Sequence, residues 1–284
     1  MALLPSAAIL FMLVTSGAAR PLAPPIEPAD SPQVCSSLPG TEALAESAPR
    51  FVIVGEIHGT DQVPRLFGDI ACVVARRRSV IVALEFDERS DEDVAHFLAS
   101  PGDDAAVSRL LRSDIWARDM ADGRSSIAML TLLRRLRDWR AAGRVVEVHG
   151  TQPRVSGRLD QHYYELAMAD RWASLADTHP NSVVLILVGS LHARLVRQPG
   201  MMFAPAASHL LPTDVVSLQS EPATGSAWNC QQDGCAPHPL AGKGTHKPAY
   251  IRVLPTITDG FNGVFSVGTS LTASAPAIET VGAR

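Results

Sequence analysis

The sequence has no basic stripe. Its 284 residues carry a formal net charge of −4, and no block of like charges is long enough to serve as an interaction tail. A nucleic-acid partner is therefore not expected. The longest leading apolar run, Ala7-Ala-Ile-Leu-Phe-Met-Leu-Val14, falls well short of the roughly 20 residues a membrane-spanning helix needs. No Gly-x-Ser-x-Gly elbow occurs, so a serine nucleophile is not indicated. Cys-x-x-Cys-His is also missing, which excludes covalent haem attachment. There is no internal repeat and no sign of a second core.

What is present fits one α/β domain: 46% hydrophobic and 19% charged residues supply a substantial core for a chain of this length. Residues 1–19 contain no charged side chain and pass from the apolar run into Thr15-Ser-Gly-Ala-Ala19, the pattern of a cleaved signal peptide, although its n-region lacks Lys or Arg. Val34 precedes Cys35, so no lipid attachment site is read there. The expected protein is exported, periplasmic or secreted, with no stable membrane anchor after cleavage. A Pro-rich linker covers 20–40. Export makes four cysteines interpretable as pairs. Cys230 and Cys235 flank a turn-forming tetrad and are expected to form a disulfide. Cys35 and Cys72 form a second pair, or Cys72 is a buried thiol in an apolar helix. A metal site from Cys230, Cys235 and His238 lacks the second cysteine pair that would support it.

Short apolar runs alternate with helical stretches. Strands are expected at 51–54, 80–84, 144–148, 183–188 and 214–218, with late strands at 250–254 and 263–267. Helices are expected over 63–78, 90–99 (opened by a Ser90-x-x-Asp93 capping box), 103–116, 124–142 and 160–178. Such alternation predicts βαβ units and a largely parallel central sheet flanked by helices. The Cys-containing segment 221–248 reads as an irregular loop, and 271–284 as a flexible tail.

In a parallel sheet the carboxyl ends of the strands share one edge, where α/β folds place ligands. Four runs here end in residues of catalytic type: Glu56 and His58, Glu85, His149, and His192. Glu56 and His58, two apart in extended chain, share a face. Gly-x-x-His follows two of the strands, at Gly55 and at Gly189. A His beside carboxylates acts as a general base; equally, two His with one or two Glu make a first shell for a divalent metal with an open position for water. Both arrangements activate water. Glu85 has a plainer reading as a strand end paired with an Arg, and His149 as a side chain on a half-exposed strand. Arg124, in Asp122-Gly-Arg-Ser-Ser126 before a helix, marks a site for an anion or carbonyl oxygen, or simply a capped turn.

Val54-Gly-Glu-Ile-His-Gly-Thr60, Leu84-Glu85 and Val188-Gly-Ser-Leu-His192 resemble the clan that joins erythromycin esterases, Tiki/TraB proteins and ChaN-type haem-binding proteins. The likeness covers about 51–195, with Gly260-Phe-Asn-Gly-Val264 similar to the closing segment, so the clan-like domain spans 41–270. The Gly-Glu-x-His strand end is most similar to the ChaN branch. Erythromycin esterases have one more residue between the Glu and the His, and Tiki-type proteins lack a Glu directly after the first Gly. The resemblance implies one of two functions. The first is an exported hydrolase acting on a small-molecule or peptide substrate through Glu56, His58, Glu85 and His192, with Arg124 and His149 toward the substrate. The second is a haem- or iron-binding protein without catalytic activity. For the metal-dependent form, Glu56, His58, Glu85 and His192 would hold Mn or Zn.

Overall fold

Val-, Ile- and Leu-rich runs too short for helices form the centre of a seven-stranded sheet. The computed structural model describes residues 35–47, 49–116, 122–144, 146–153, 160–242 and 247–278. The sheet strands are β1 (Phe51–Glu56), β2 (Ser79–Asp87), β3 (Val146–Gln152), β4 (Ser182–Gly189), β5 (Val215–Ser220), β8 (Tyr250–Thr258) and β9 (Phe261–Ser266), while β6 (Ser226–Gln231) and β7 (Gly234–Pro239) form a separate antiparallel ribbon. The order is β3-β2-β4-β1-β5-β9-β8, parallel throughout except for the antiparallel β8–β9 pair. The expected α/β fold with a largely parallel sheet is what the structure shows.

Both faces of the central strands are covered, which is why they read as unbroken apolar runs. Val52, Val54, Val82, Leu84, Leu185 and Leu187 pack on one face against α1 (Thr41–Ser47), α2 (Gln62–Ala75), α3 (Asp91–Leu98), α4 (Asp104–Leu111) and α5 (Ile127–Ala141). Ile53, Ile81, Ala83, Ile186 and Val188 face α6 (Gln161–Thr178) through Met168, Trp172 and Leu175. The chain runs outward from β1 to β2 to β3 with its helices on one face, then reverses to β4 and β5 with α6 on the other. Right-handed crossovers demand that change of face when the direction reverses. The loops after β1 and β2 thus leave the sheet on the opposite side from the loop after β4, opening a crevice at their carboxyl ends.

Several local expectations change. Asp104–Leu111 is the only α-helix in the stretch expected to be helical over 103–116. Ser90 does not cap α3; its hydroxyl donates to the carbonyl of Asp87 at 2.6 Å, and Asp87 accepts from the Arg89 N–H instead. Ser126 does cap α5, accepting from Met129 N at 3.4 Å. The segment read as an irregular loop contains the β6–β7 ribbon, with Cys230 opposite Cys235 across it. Its Gly, Pro and Cys content hid strands that a tight turn and a disulfide hold together. The segment read as a flexible tail is ordered from 271 to 278: Ala273 bridges Thr60, Pro276 bridges Ser126, and Leu271 and Ala277 are buried. The expected leader at 1–19, linker residues 20–34 and residues 279–284 lie outside the described residues.

Both cysteine pairs are disulfides, Cys35–Cys72 and Cys230–Cys235. The first ties the end of the linker to α2, and Pro39 accepts a backbone bond from Ile251. Two disulfides fit an oxidising compartment. Among the described residues no helix is long and apolar enough to cross a membrane.

Candidate functional site

Glu56 ends β1 with its side chain turned inward, 4% exposed. The chain then turns at Gly59, whose φ is +75° and whose missing Cβ would lie 2.0 Å from the Trp228 carbonyl oxygen. Gly59 O accepts from both Trp228 N (2.9 Å) and Ser274 N (2.8 Å), so the ribbon and the C-terminal segment together clamp the turn. A Cβ on Gly123, which also has a positive φ, would meet the backbone of Gly59 at 2.4 Å. These two glycines let the Arg124 loop lie directly against the His58 loop.

His58 is the bridge. Its Nδ1 is 2.9 Å from Glu56 Oε1 and its Nε2 is 3.1 Å from Glu85 Oε2. Glu85, at the buried end of β2, collects four partners. Gly189 N donates to its Oε2 at 2.7 Å and Arg124 Nη1 to its Oε1 at 3.1 Å; His192 Nε2 stands 3.9 Å from Oε1. Arg124 is also gripped by Asp122, through Nε at 3.0 Å and through Nη2. Gly189 is what lets the groups converge, since a Cβ there would sit 3.1 Å from His58 Nε2 and 3.3 Å from Glu85 Oε2.

Burial by itself would lower the His58 pKa, but the carboxylates of Glu85 and Glu56 outweigh it and push it up to about 10. Burial acts to raise Glu85, and its neighbours, the His58 charge foremost, overcome it, holding the carboxyl far below its ordinary range. Asp122 is opposed by its own burial and lowered by Arg124, while Arg124 is raised against its burial by Asp122 and Glu85. The Tyr164 hydroxyl is pushed up to about 12, first by burial and then by the Glu85 charge. At neutral pH the centre therefore holds an imidazolium sandwiched between two carboxylates, with a guanidinium beside it.

The structure brings together Glu56, His58, Glu85, His192 and Arg124. It does not bring in His149. Strand β3 runs on to Gln152, so His149 lies mid-strand, where its Nδ1 is 3.2 Å from Asp91 Oδ2 and its Nε2 is 3.5 Å from Glu147. Asp91 also accepts from Gly150 N and from Arg171, which accounts for His149 as part of a helix-to-strand tether.

Sequence reasoning missed Glu165, which is fully buried on α6. Both its carboxylate oxygens lie 2.8 Å from His192 Nδ1. The signal was there: Glu165 falls on the same helical stripe as Met168, Ala169, Trp172 and Ala176, a carboxylate where the pattern calls for an apolar residue. Asp122 and Tyr164 were missed too, the latter with its ring 5.9 Å from that of His192.

Each ring nitrogen of His58 faces a carboxylate oxygen, Glu56 on one side and Glu85 on the other. Among the described residues no group of three or more His, Cys, Asp or Glu side chains is arranged to hold a metal ion.

No protein-family model matches this chain, and neither does any curated protein. Solved structures share its fold. A succinoglycan biosynthesis protein aligns with a TM-score of 0.63 at 9% identity, over 88% of this chain and 93% of that one. A mutant erythromycin esterase in its open conformation gives 0.59 at 9% identity, over 82% and 93%. A Bacillus cereus protein gives 0.53 at 10% identity, over 85% and 94%. At such identities the likeness is one of fold. It singles out no branch, the ChaN branch included.

Proposed function

We propose that the protein is an exported hydrolase that activates water against an ester or amide carbonyl at the Glu/His cluster. The observation that carries this is the convergence on Glu85. Side chains from the ends of β1, β2 and β4 and from the loop before α5 meet around one buried carboxylate, with His58 and Arg124 as fixed cations. Preorganised positive charge beside a carbonyl stabilises the oxyanion that develops when water attacks, a larger effect in a partly buried site than in water. The fold shared with an erythromycin esterase supports the class of chemistry. The two disulfides and the apolar leader support export.

His58 is held protonated through neutral pH by its two carboxylate partners, so in this arrangement it serves as a fixed positive charge. Its partners Glu56 and Glu85 fix the ring from both sides. The test is turnover of ester and peptide panels by the purified protein, with and without Mn²⁺, against His58→Ala and Glu85→Gln. Loss of about 10²–10⁴-fold in kcat is expected for each variant. Equal turnover by wild type and His58→Ala ends this reading.

A further inference from the structure

We propose that His192, positioned by Glu165, is the group that takes the proton from water. This rests on the hydrolase reading above and names the base within it. His58 faces a carboxylate at each ring nitrogen, whereas His192 is engaged at only one. Its Nδ1 meets both oxygens of Glu165 at 2.8 Å, while its Nε2 has Glu85 Oε1 no nearer than 3.9 Å, beyond hydrogen-bonding reach.

The direction of the Glu165 bond follows from its other partners. Ala206 N donates to Oε2 at 2.8 Å and Gln161 Nε2 donates to Oε1 at 2.6 Å. Glu165 is thus an acceptor in its other contacts, and the Nδ1 of His192 is the donor in this one. That fixes the tautomer: the proton sits on Nδ1 and the lone pair on Nε2, which points toward the cluster. A buried carboxylate behind a His that faces substrate is the arrangement that orients a general base and stabilises its imidazolium.

The step balances without a co-reactant. The water oxygen bonds to the carbonyl carbon as one of its protons moves to His192 Nε2. Collapse of the tetrahedral intermediate breaks the bond to the leaving group, which receives the proton from Nε2. Glu165 stays a carboxylate throughout and is a positioning residue.

Two measurements test this. The ¹⁵N spectrum of the wild-type protein, with His192 assigned by loss of its signals in His192→Asn, is expected to show the Nδ1–H tautomer, and Glu165→Gln to weaken that preference. In kinetics, Glu165→Gln is expected to lower kcat by about 10²–10⁴-fold with KM little changed, and Glu165→Asp to recover part of the loss. An Nε2–H tautomer in the wild type overturns the proposal even if Glu165→Gln fails to fold. So does undiminished kcat in Glu165→Gln when His58→Ala is inactive, and in that case the hydrolase reading survives. If wild type hydrolyses nothing, the hydrolase reading and the acceptor role fall together, while the tautomer result still decides whether Glu165 positions His192.

Discussion

Nε2 of His58 lies 3.1 Å from Oε2 of Glu85, and each group shifts the other's titration away from neutrality, the imidazole upward and the carboxyl downward. The pair therefore links stability to pH with a definite sign. The folded-state pKa of His58 is raised, so its contribution is complete below 6.5 and is lost as pH rises toward about 10. That of Glu85 is lowered, so its contribution is complete above 4.5 and is lost as pH falls through the depressed folded value. Both are complete between 4.5 and 6.5. The Tm gap between wild type and His58→Gln is expected to be widest in that window and to narrow steadily as pH rises. A gap that stays constant up to pH 10 contradicts the pairing.

How much of this could be read from the chain depends on what each residue's signal was. Glu56, His58, Glu85 and His192 follow apolar runs, and parallel pairing sends those ends to one edge, so local pattern was enough to group them. Arg124 was visible as a basic residue before a capped helix, but only the backbone contact between Gly59 and Gly123 brings it to Glu85. His149 misled because β3 extends past it to Gln152, and a strand end read three or four residues early puts a mid-strand residue at the edge. Glu165 comes from a helix on the far side of the sheet reversal, where no strand-end argument reaches. The β6–β7 ribbon was hidden because its cross-strand pairing leaves no clear alternation of apolar residues.

The clamp on the His58 turn can be separated from ordinary glycine strain. Gly59 and Gly143 both have positive φ, but a Cβ at Gly143 meets nothing within 4 Å, whereas at Gly59 it would strike the Trp228 carbonyl. Gly143→Ala is expected to cost about 1–3 kcal/mol from backbone conformation alone. Gly59→Ala is expected to cost clearly more and to loosen the ribbon. Urea unfolding of the two variants measures the difference, and equal losses would mean the ribbon does not restrain the turn.

The two disulfides differ in the loops they close. Cys35–Cys72 spans 37 residues and Cys230–Cys235 only 5. Chain entropy assigns about 4 kcal/mol to the longer loop and about 2 kcal/mol to the shorter. Replacing both members of each pair by serine is expected to lower the urea midpoint more for Cys35 and Cys72. A larger fall for Cys230 and Cys235 would show that the ribbon contributes through its docking on Gly59 rather than through loop closure.

Gly189 tests the site with little risk to the fold. Its φ is not in the left-handed region, so alanine there carries no backbone strain. The new methyl would lie 3.1 Å from His58 Nε2 and 3.3 Å from Glu85 Oε2, forcing those two side chains to shift by a few tenths of an ångström, and in ordinary contact with His192 Cδ2 at 3.6 Å. The neighbours that must yield are the groups assigned to the chemistry. Misplacement on this scale in a positioned site costs up to about 100-fold in rate. Gly189→Ala is therefore expected to lose turnover while keeping a Tm close to that of wild type. If it retains full activity, the point where His58 and Glu85 meet is not where the reaction occurs.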